Sequence, residues 1–278
     1  MDAAGVRRTE WEGWELVAAG AADGSPTALL LPGAQCTAAF YADVLADPRL
    51  AARGARLVAA TPPGFGGREA PPDLGMAAYA ALTVDLIEHI GCDLVVGHSY
   101  FANVATELAI AGTSTRPLVL LSPAFSRRDE EVGLRWLGLA SRIPLLGAVP
   151  WAAAGRALGS VMEGRLPRTH HDRLVAEMRR SDWRVNRQLM RDYFRYLART
   201  EAGDGIAAGL VSSGVRAWVV RGDRDEIGLT DEERAVLTGS SNVTLIVVPG
   251  AGHFVLTDQP GAVVAIVLDA LDATVSAS

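Results

Sequence analysis

The stretch LVVGHSYFANVATELAI, residues 94–110, decides the fold. Its first four residues form a short apolar run that is typical of a buried strand, and residues 102–110 have the pattern of a helix. Ser99 stands at the turn between them. A serine at a sharp strand-to-helix turn projects its hydroxyl clear of the sheet and has a backbone N–H beside it. Ser99 is therefore a candidate nucleophile, and we expect His98 to pack behind it.

Apolar strands and helical segments alternate on both sides of this stretch. The predicted strands are residues 14–18, 27–31, 56–60, 94–97, 118–121, 215–221 and 243–248. The predicted helices are residues 37–45, 48–52, 76–90, 102–110, 230–237 and 261–273. Such alternation is typical of βαβ units that build a parallel sheet. We predict an α/β fold with a mostly parallel sheet of roughly eight strands, flanked by helices.

The alternation is interrupted by a long segment without a convincing strand. Residues 124–208 instead have the pattern of amphipathic helices, one of which we expect to begin at Thr169, with Asp172 three residues later. We predict a helical insertion over residues 124–208 in a core domain formed by residues 1–123 and 209–278. The apolar stripe of these helices either packs against the core or roofs a pocket, and both can hold together.

Further candidate site residues lie where other predicted strands end. Asp225 follows one strand, His253 follows the last strand, and Pro32, Gly33 and Ala34 follow an early strand. Open α/β sheets bind their ligands at the carboxyl ends of their strands. We therefore expect these residues to meet Ser99 at one edge of the sheet.

The motifs in this order resemble those of the α/β-hydrolase family. The similar segments are LLLPGA at 29–34, TPPGFGGR at 61–68, GHSYF at 97–101, VVRGDRDEI at 219–227 and GAGHFVLTDQP at 250–260. The resemblance covers roughly residues 27–271 and implies that the inserted helices form a cap. It also implies a triad of Ser99, Asp225 (rather than Asp223) and His253.

The resemblance carries further expectations for the site. Backbone N–H groups of Ala34 and Tyr100 are expected to form the oxyanion hole. The family usually has Gly where this chain has Phe101, which puts the local packing of the turn in question. No metal or organic cofactor is expected. The predicted pocket residues, for each of which plain core packing is the alternative, are Phe101, Trp136, Trp151, Tyr193, Phe194 and Phe254.

The predicted triad and the family resemblance favour hydrolysis of a carboxylic ester or lactone. The substrate would be a small, fairly apolar molecule that forms an acyl-enzyme on Ser99. Two alternatives stay open. One is a thioesterase or acyltransferase that acts on carrier-bound acyl groups, and the other is a ligand-binding protein without turnover. Dehalogenases and epoxide hydrolases of this family need an aspartate at position 99, so the serine argues against both.

Charge and composition restrict the partners. The net charge of -6 argues against nucleic acid, which basic domains bind. Residues 126–200 are locally basic, with 15 Arg against 8 Asp plus Glu. Arginine pairs well with carboxylates, so an acidic acyl-carrier protein is a possible partner. The chain has 2 cysteines and no signal peptide or membrane-spanning run, which predicts a soluble cytoplasmic protein. The oligomeric state stays open.

Overall fold

The computed structural model describes residues 6–21, 26–126, 148–199 and 205–275. These residues form one eight-stranded sheet in the order β1-β2-β4-β3-β5-β6-β7-β8. The strands are β1 Arg7–Trp11, β2 Trp14–Gly20, β3 Thr27–Leu31, β4 Arg56–Thr61, β5 Leu94–His98, β6 Leu118–Leu121, β7 Ala217–Gly222 and β8 Val243–Val248. Strands β1 and β2 run antiparallel to their neighbours, and all other pairs are parallel. The predicted fold class is confirmed.

Helices cover both faces of the sheet. They are α1 Ala42–Leu45, α2 Pro48–Arg53, α3 Met76–Ile90, α4 Tyr100–Ile110, α5 Ala148–Val161, α6 His171–Arg179, α7 Trp183–Arg199, α8 Ile206–Ser212, α9 Asp231–Thr238, α10 Val255–Asp258 and α11 Pro260–Val275. Helices α3, α4 and α8 pack on one face, and α1 and α11 pack on the other. The central strands are buried on both sides, which is why they are nearly all apolar.

Three local features differ from the sequence expectations. Strand β1 was not predicted, because its residues are mostly exposed and polar. The segment expected as one helix at 37–45 opens with a 3-10 helix, Ala38–Tyr41, which the Thr37 side chain caps by accepting a hydrogen bond from the Ala39 N–H. Helix α6 is preceded by His170 rather than by Thr169, and no side chain caps it.

Helices α5, α6 and α7 lie between β6 and β7 in the chain, where the cap is predicted. Helix α7 packs against α3 of the core, and α6 packs near the 3-10 helix. Helix α8 begins inside the predicted insertion, yet it packs on α4 and α9 of the core. The domain boundaries stay a prediction. Within the part of the chain that the structure describes, no helix is long and apolar enough to cross a bilayer.

Candidate active site

Ser99 occupies the tight turn between β5 and α4. Its φ of 50° and ψ of -114° are strained for a residue with a side chain. The turn is held by the Ser99 N–H, which donates to the Leu121 carbonyl at 2.8 Å, and by the N–H groups of Ala102 and Asn103, which donate to the Ser99 carbonyl. Surrounding hydrogen bonds therefore stabilise the strained geometry that presents the hydroxyl.

Phe101 does not disturb this turn. A Cβ on Gly97 would lie 2.4 Å from the carbonyl oxygen of Phe101, so Gly97 is the residue that permits the close approach of strand and helix. The ring of Phe101 is fully buried and makes edge contacts with Trp14, Phe65 and Tyr79 at centroid distances of 6.3, 5.8 and 5.6 Å. The departure from the family pattern is thus accommodated by aromatic packing in the core.

The three residues predicted as a triad meet at the carboxyl edge of the sheet. The Ser99 hydroxyl lies 3.0 Å from His253 Nε2, positioned to donate a hydrogen bond to it. His253 Nδ1 lies 3.1 Å from Asp225 Oδ1 and donates to that carboxylate. The Asp225 side chain is fully buried, and that of His253 is 23% exposed. A continuous hydrogen-bonded chain therefore runs from a buried carboxylate to the serine hydroxyl.

The surroundings of Asp225 keep its carboxyl group ionised. Burial alone raises the pKa, but the hydrogen bond and charge of His253, aided by Ser122 and the Ile227 N–H, outweigh it and lower the pKa to about 2. Asp223, the other acidic residue of this loop, is exposed and accepts a hydrogen bond from the Gly250 N–H at 2.8 Å. Of the two, only Asp225 contacts the imidazole.

His98 lies directly behind the site. It is buried, and its Nε2 donates to the His253 carbonyl oxygen at 2.9 Å. Burial, together with the nearby charge of His253, lowers the pKa of His98 to about 3. His98 therefore stays neutral at ordinary pH and anchors the backbone of the loop that carries His253.

The loop after β3 runs beside the nucleophile. A Cβ on Gly33 would lie 3.3 Å from the Cβ of Ser99. Because Ala34 is the next residue in the chain, it lies at the edge of the site. Within the described residues, the Ala34 N–H donates no hydrogen bond. Tyr100 opens α4, where N–H groups have no partner inside the helix. Both predicted oxyanion donors are therefore available for a ligand.

The predicted pocket residues are not all brought to the site. Tyr193 and Phe194 lie buried on α7, with the Tyr193 ring 5.3 Å from that of Tyr100. Phe254 packs against the rings of His98 and His253. Trp136 lies outside the described residues, and Trp151 falls on α5 at a position whose side chain is outside them. Pocket lining stays a prediction for the whole set.

Asn103 is a site residue that sequence reasoning missed. Its Nδ2 donates to the Ala124 carbonyl at 2.6 Å, and its Oδ1 accepts from the Tyr193 hydroxyl at 3.1 Å. It thereby links the helix behind the nucleophile to the segment after β6 and to helix α7. The signal in the sequence was an amide inside an otherwise apolar helical run.

The described residues contain no cluster of three or more His, Cys, Asp or Glu side chains that could hold a metal ion. Cys36 and Cys92 are both buried and unbridged. Burial raises the pKa of both thiols, that of Cys92 to about 12, so neither is a ready nucleophile.

The chain was compared with known proteins. No curated protein sequence matches it. A haloalkane dehalogenase, DbeA from Bradyrhizobium elkani USDA94, has a similar structure with a TM-score of 0.74 at 18% identity, over 98% of this chain and 99% of that one. A putative lipase from Acinetobacter baumannii AYE is similar with a TM-score of 0.73 at 13% identity, over 99% and 94%. Epoxide hydrolase A from Mycobacterium thermoresistibile is similar with a TM-score of 0.71 at 19% identity, over 96% and 98%.

These structural likenesses establish the fold. The family-level evidence is separate, because the sequence model described as "Alpha/beta hydrolase family" matches residues 28–266. That match covers most of the chain and includes the loops of Ser99, Asp225 and His253. The chain belongs to the alpha/beta hydrolase family.

Proposed function

We propose that this protein is a serine hydrolase that cleaves a carboxylic ester or lactone of a small, fairly apolar molecule. The observation that carries the proposal is the hydrogen-bonded chain from Asp225 through His253 to Ser99. Position 99 carries a hydroxyl rather than a carboxylate. Displacement of a halide or opening of an epoxide through an aspartyl ester is therefore not the chemistry that this residue supplies.

The proposed reaction proceeds in two stages. His253 Nε2 takes the proton of the Ser99 hydroxyl as its oxygen attacks the substrate carbonyl, and Asp225 stabilises the imidazolium that forms. The N–H groups of Ala34 and Tyr100 hold the oxyanion, and each such donor typically lowers the barrier by about 3 kcal/mol. His253 then protonates the leaving alcohol. Water, deprotonated by His253, attacks the acyl-enzyme, and His253 returns that proton to the Ser99 oxygen as the acid is released.

The substrate class is inferred from the surroundings of the nucleophile. Tyr100 follows Ser99 in the chain, and its buried ring lies 5.3 Å from the buried ring of Tyr193 on helix α7. A site bordered by such rings favours an apolar acyl or alcohol group. A lactone fits the same chemistry, since its leaving alcohol stays attached to the acyl group.

A thioester on an acyl-carrier protein is the second candidate. It is favoured by exposed arginines on the cap segment, which would meet an acidic carrier surface. They include Arg156, Arg168, Arg173, Arg179 and Arg184. Activity toward a carrier-bound substrate that falls steeply with salt would favour this candidate.

We also propose a cytoplasmic location. Cys36 and Cys92 are free thiols in the structure, and free thiols suit a reducing compartment. Export of the protein from its native cells would contradict that location.

The substrate proposal is tested with a panel of p-nitrophenyl esters of increasing acyl length, aliphatic lactones and acyl thioesters, each assayed with wild type and Ser99→Ala. We expect turnover of esters or lactones that depends on Ser99, with a preferred acyl length that reports the size of the pocket. Turnover confined to thioesters would move the assignment to the second candidate. No turnover of any class by a folded protein would contradict the proposal.

A further inference from the structure

The carboxylate of Asp225 has one oxygen that the triad does not use. Oδ1 accepts from His253 Nδ1 and also from the Ile227 N–H, both at 3.1 Å. Oδ2 is buried and has no hydrogen-bond partner. A buried carboxylate oxygen is costly unless positive charge or donors face it.

The guanidinium of Arg221 faces this second oxygen. Its Nη2 lies 3.9 Å from Asp225 Oδ2, with the Arg221 side chain 8% exposed and that of Asp225 fully buried. An arginine buried to this degree near the end of an apolar strand is unusual, since arginine is rarely fully buried unless it is paired. Arg221 supplies a permanent positive charge beside the acid while His253 is neutral.

The same guanidinium also anchors the loop that carries the acid. Arg221 lies on β7, and its Nη1 donates to the Gly228 carbonyl oxygen at 2.6 Å. Gly228 follows Asp225 by three residues. Because the guanidinium is a rigid planar fork, a bond from Nη1 to the loop fixes where Nη2 stands. The Arg221 side chain therefore anchors the loop and also fixes where its own positive charge lies.

Ser122 reaches the carboxylate from the neighbouring strand. It directly follows β6, is fully buried, and has a φ of 51° in the left-handed region. Its N–H donates to the Val220 carbonyl at 2.8 Å, while its hydroxyl has no hydrogen-bond partner. Ser122 is among the groups that lower the pKa of Asp225. Ser122 therefore acts on the same carboxylate as Arg221.

We propose that Arg221 is a positioning residue for the catalytic acid, which together with Ser122 holds Oδ2 of Asp225 and leaves Oδ1 for His253. The ionisable groups around the acid are Arg221 on β7, the strand that precedes it, His253 on the loop after β8, and His98 on β5. This inference rests on the serine hydrolase function proposed above.

The proposal predicts a change in the pH response of the site. Asp225 and His253 share a hydrogen bond, so a charge removed beside the acid also acts on the imidazole. Loss of the Arg221 charge favours the imidazolium paired with the acid, so the acidic limb of the pH–rate profile moves to higher pH. A residue that only stabilises the fold would lower activity or thermal stability without moving that limb.

The test compares Arg221→Gln, which keeps a donor for the Gly228 carbonyl, with Arg221→Lys, which keeps the charge. We expect Arg221→Gln to lower kcat about tenfold or more at an almost unchanged KM, and to move the acidic limb upward by about half a pH unit or more. Arg221→Lys should leave the limb in place and restore part of kcat. Arg234→Gln, at an exposed arginine on α9, is the matched control and should behave as wild type.

A second readout separates this inference from the proposed reaction. The midpoint of the His253 ring titration, followed by NMR without substrate, should also move upward in Arg221→Gln, even if the natural reaction is not ester hydrolysis. If Arg221→Gln does not fold, Ser122→Ala must move the midpoint in the same direction by a smaller amount. Two results would overturn the proposal. One is a midpoint of the His253 titration that does not move in these variants. The other is an equal loss of kcat in Arg221→Gln and Arg221→Lys while the acidic limb of the pH–rate profile stays in place.

Discussion

Gly33 lies directly against the buried ring of His98: a Cβ at Gly33 would stand 2.7 Å from His98 Nδ1. The other ring nitrogen of His98 donates to the His253 backbone. One imidazole thus sets the position of the loop before Ala34 and of the loop that carries the catalytic histidine. The requirement for glycine at position 33 comes from this close contact rather than from an unusual φ.

We predict that Gly33→Ala folds but loses most of its activity. The added methyl group pushes the loop away from His98 and moves the Ala34 N–H out of reach of the oxyanion, so kcat should fall about 100-fold. Steady-state kinetics and a thermal melt are the measurements. Gly205→Ala, where an added Cβ meets no atom within 4 Å, is the control. Wild-type kcat in Gly33→Ala would remove Ala34 from the proposed oxyanion hole.

Asp225→Asn should abolish nearly all activity without unfolding the protein. The amide cannot hold the imidazole in the tautomer that accepts the Ser99 proton, and losses of about 10,000-fold in kcat are typical of this change. Asp223→Asn is the matched control, because Asp223 is exposed and contacts Gly250 instead of His253. Equal kcat losses in the two variants would contradict the assignment of the acid.

The buried, neutral His98 predicts acid-sensitive stability. The unfolded chain protonates this ring near pH 6.5, whereas the folded protein keeps it neutral down to about pH 3. The unfolded state therefore binds the extra proton between these values, and lowering the pH costs up to about 1.4 kcal/mol of unfolding free energy per pH unit.

The check on His98 is chemical denaturation between pH 5 and pH 7, above the range of most carboxylates. His98→Gln should show a flatter dependence of unfolding free energy on pH than wild type. His89→Gln alters an exposed ring that stacks on Trp11 and should keep the wild-type slope. Identical slopes in all three proteins would show that His98 does not titrate as described.

The hydrogen bond between helices α7 and α4 predicts different effects for two tyrosines. Tyr193→Phe removes the hydroxyl that donates to Asn103 Oδ1, and should lower the unfolding free energy by about 1 kcal/mol. Tyr100→Phe removes a buried hydroxyl that has no hydrogen-bond partner, and should leave stability unchanged or raise it. Denaturant unfolding of both variants tests the pair. A larger loss in Tyr100→Phe than in Tyr193→Phe would contradict the network.

Sequence patterns predicted the parts of the fold that depend on local composition. Apolar runs located the parallel strands from Thr27–Leu31 onward, since strands buried on both faces have few polar residues. Strand Arg7–Trp11 was missed because it is an exposed edge, tied to its neighbour in part by the ion pair of Arg8 and Glu15. Nothing in its own five residues distinguishes it from a polar turn.

The candidate site followed from the strand ends together with the family resemblance, whereas its supporting contacts did not. The ends of strands β5, β7 and β8 place Ser99, Asp225 and His253 at one edge, and the structure brings them into hydrogen-bond contact. The contacts of Arg221 and Asn103 depend on which strands and helices become neighbours. A single sequence shows each only as a polar residue in an apolar run.

The role of Ser99 as nucleophile is tested most directly by labelling with a fluorophosphonate probe, which reacts with an activated serine hydroxyl. We expect rapid labelling of wild type, none of Ser99→Ala, and strongly slowed labelling of a His253→Gln variant. Rapid labelling retained in folded Ser99→Ala, or no labelling of folded wild type, would show that Ser99 is not an activated nucleophile.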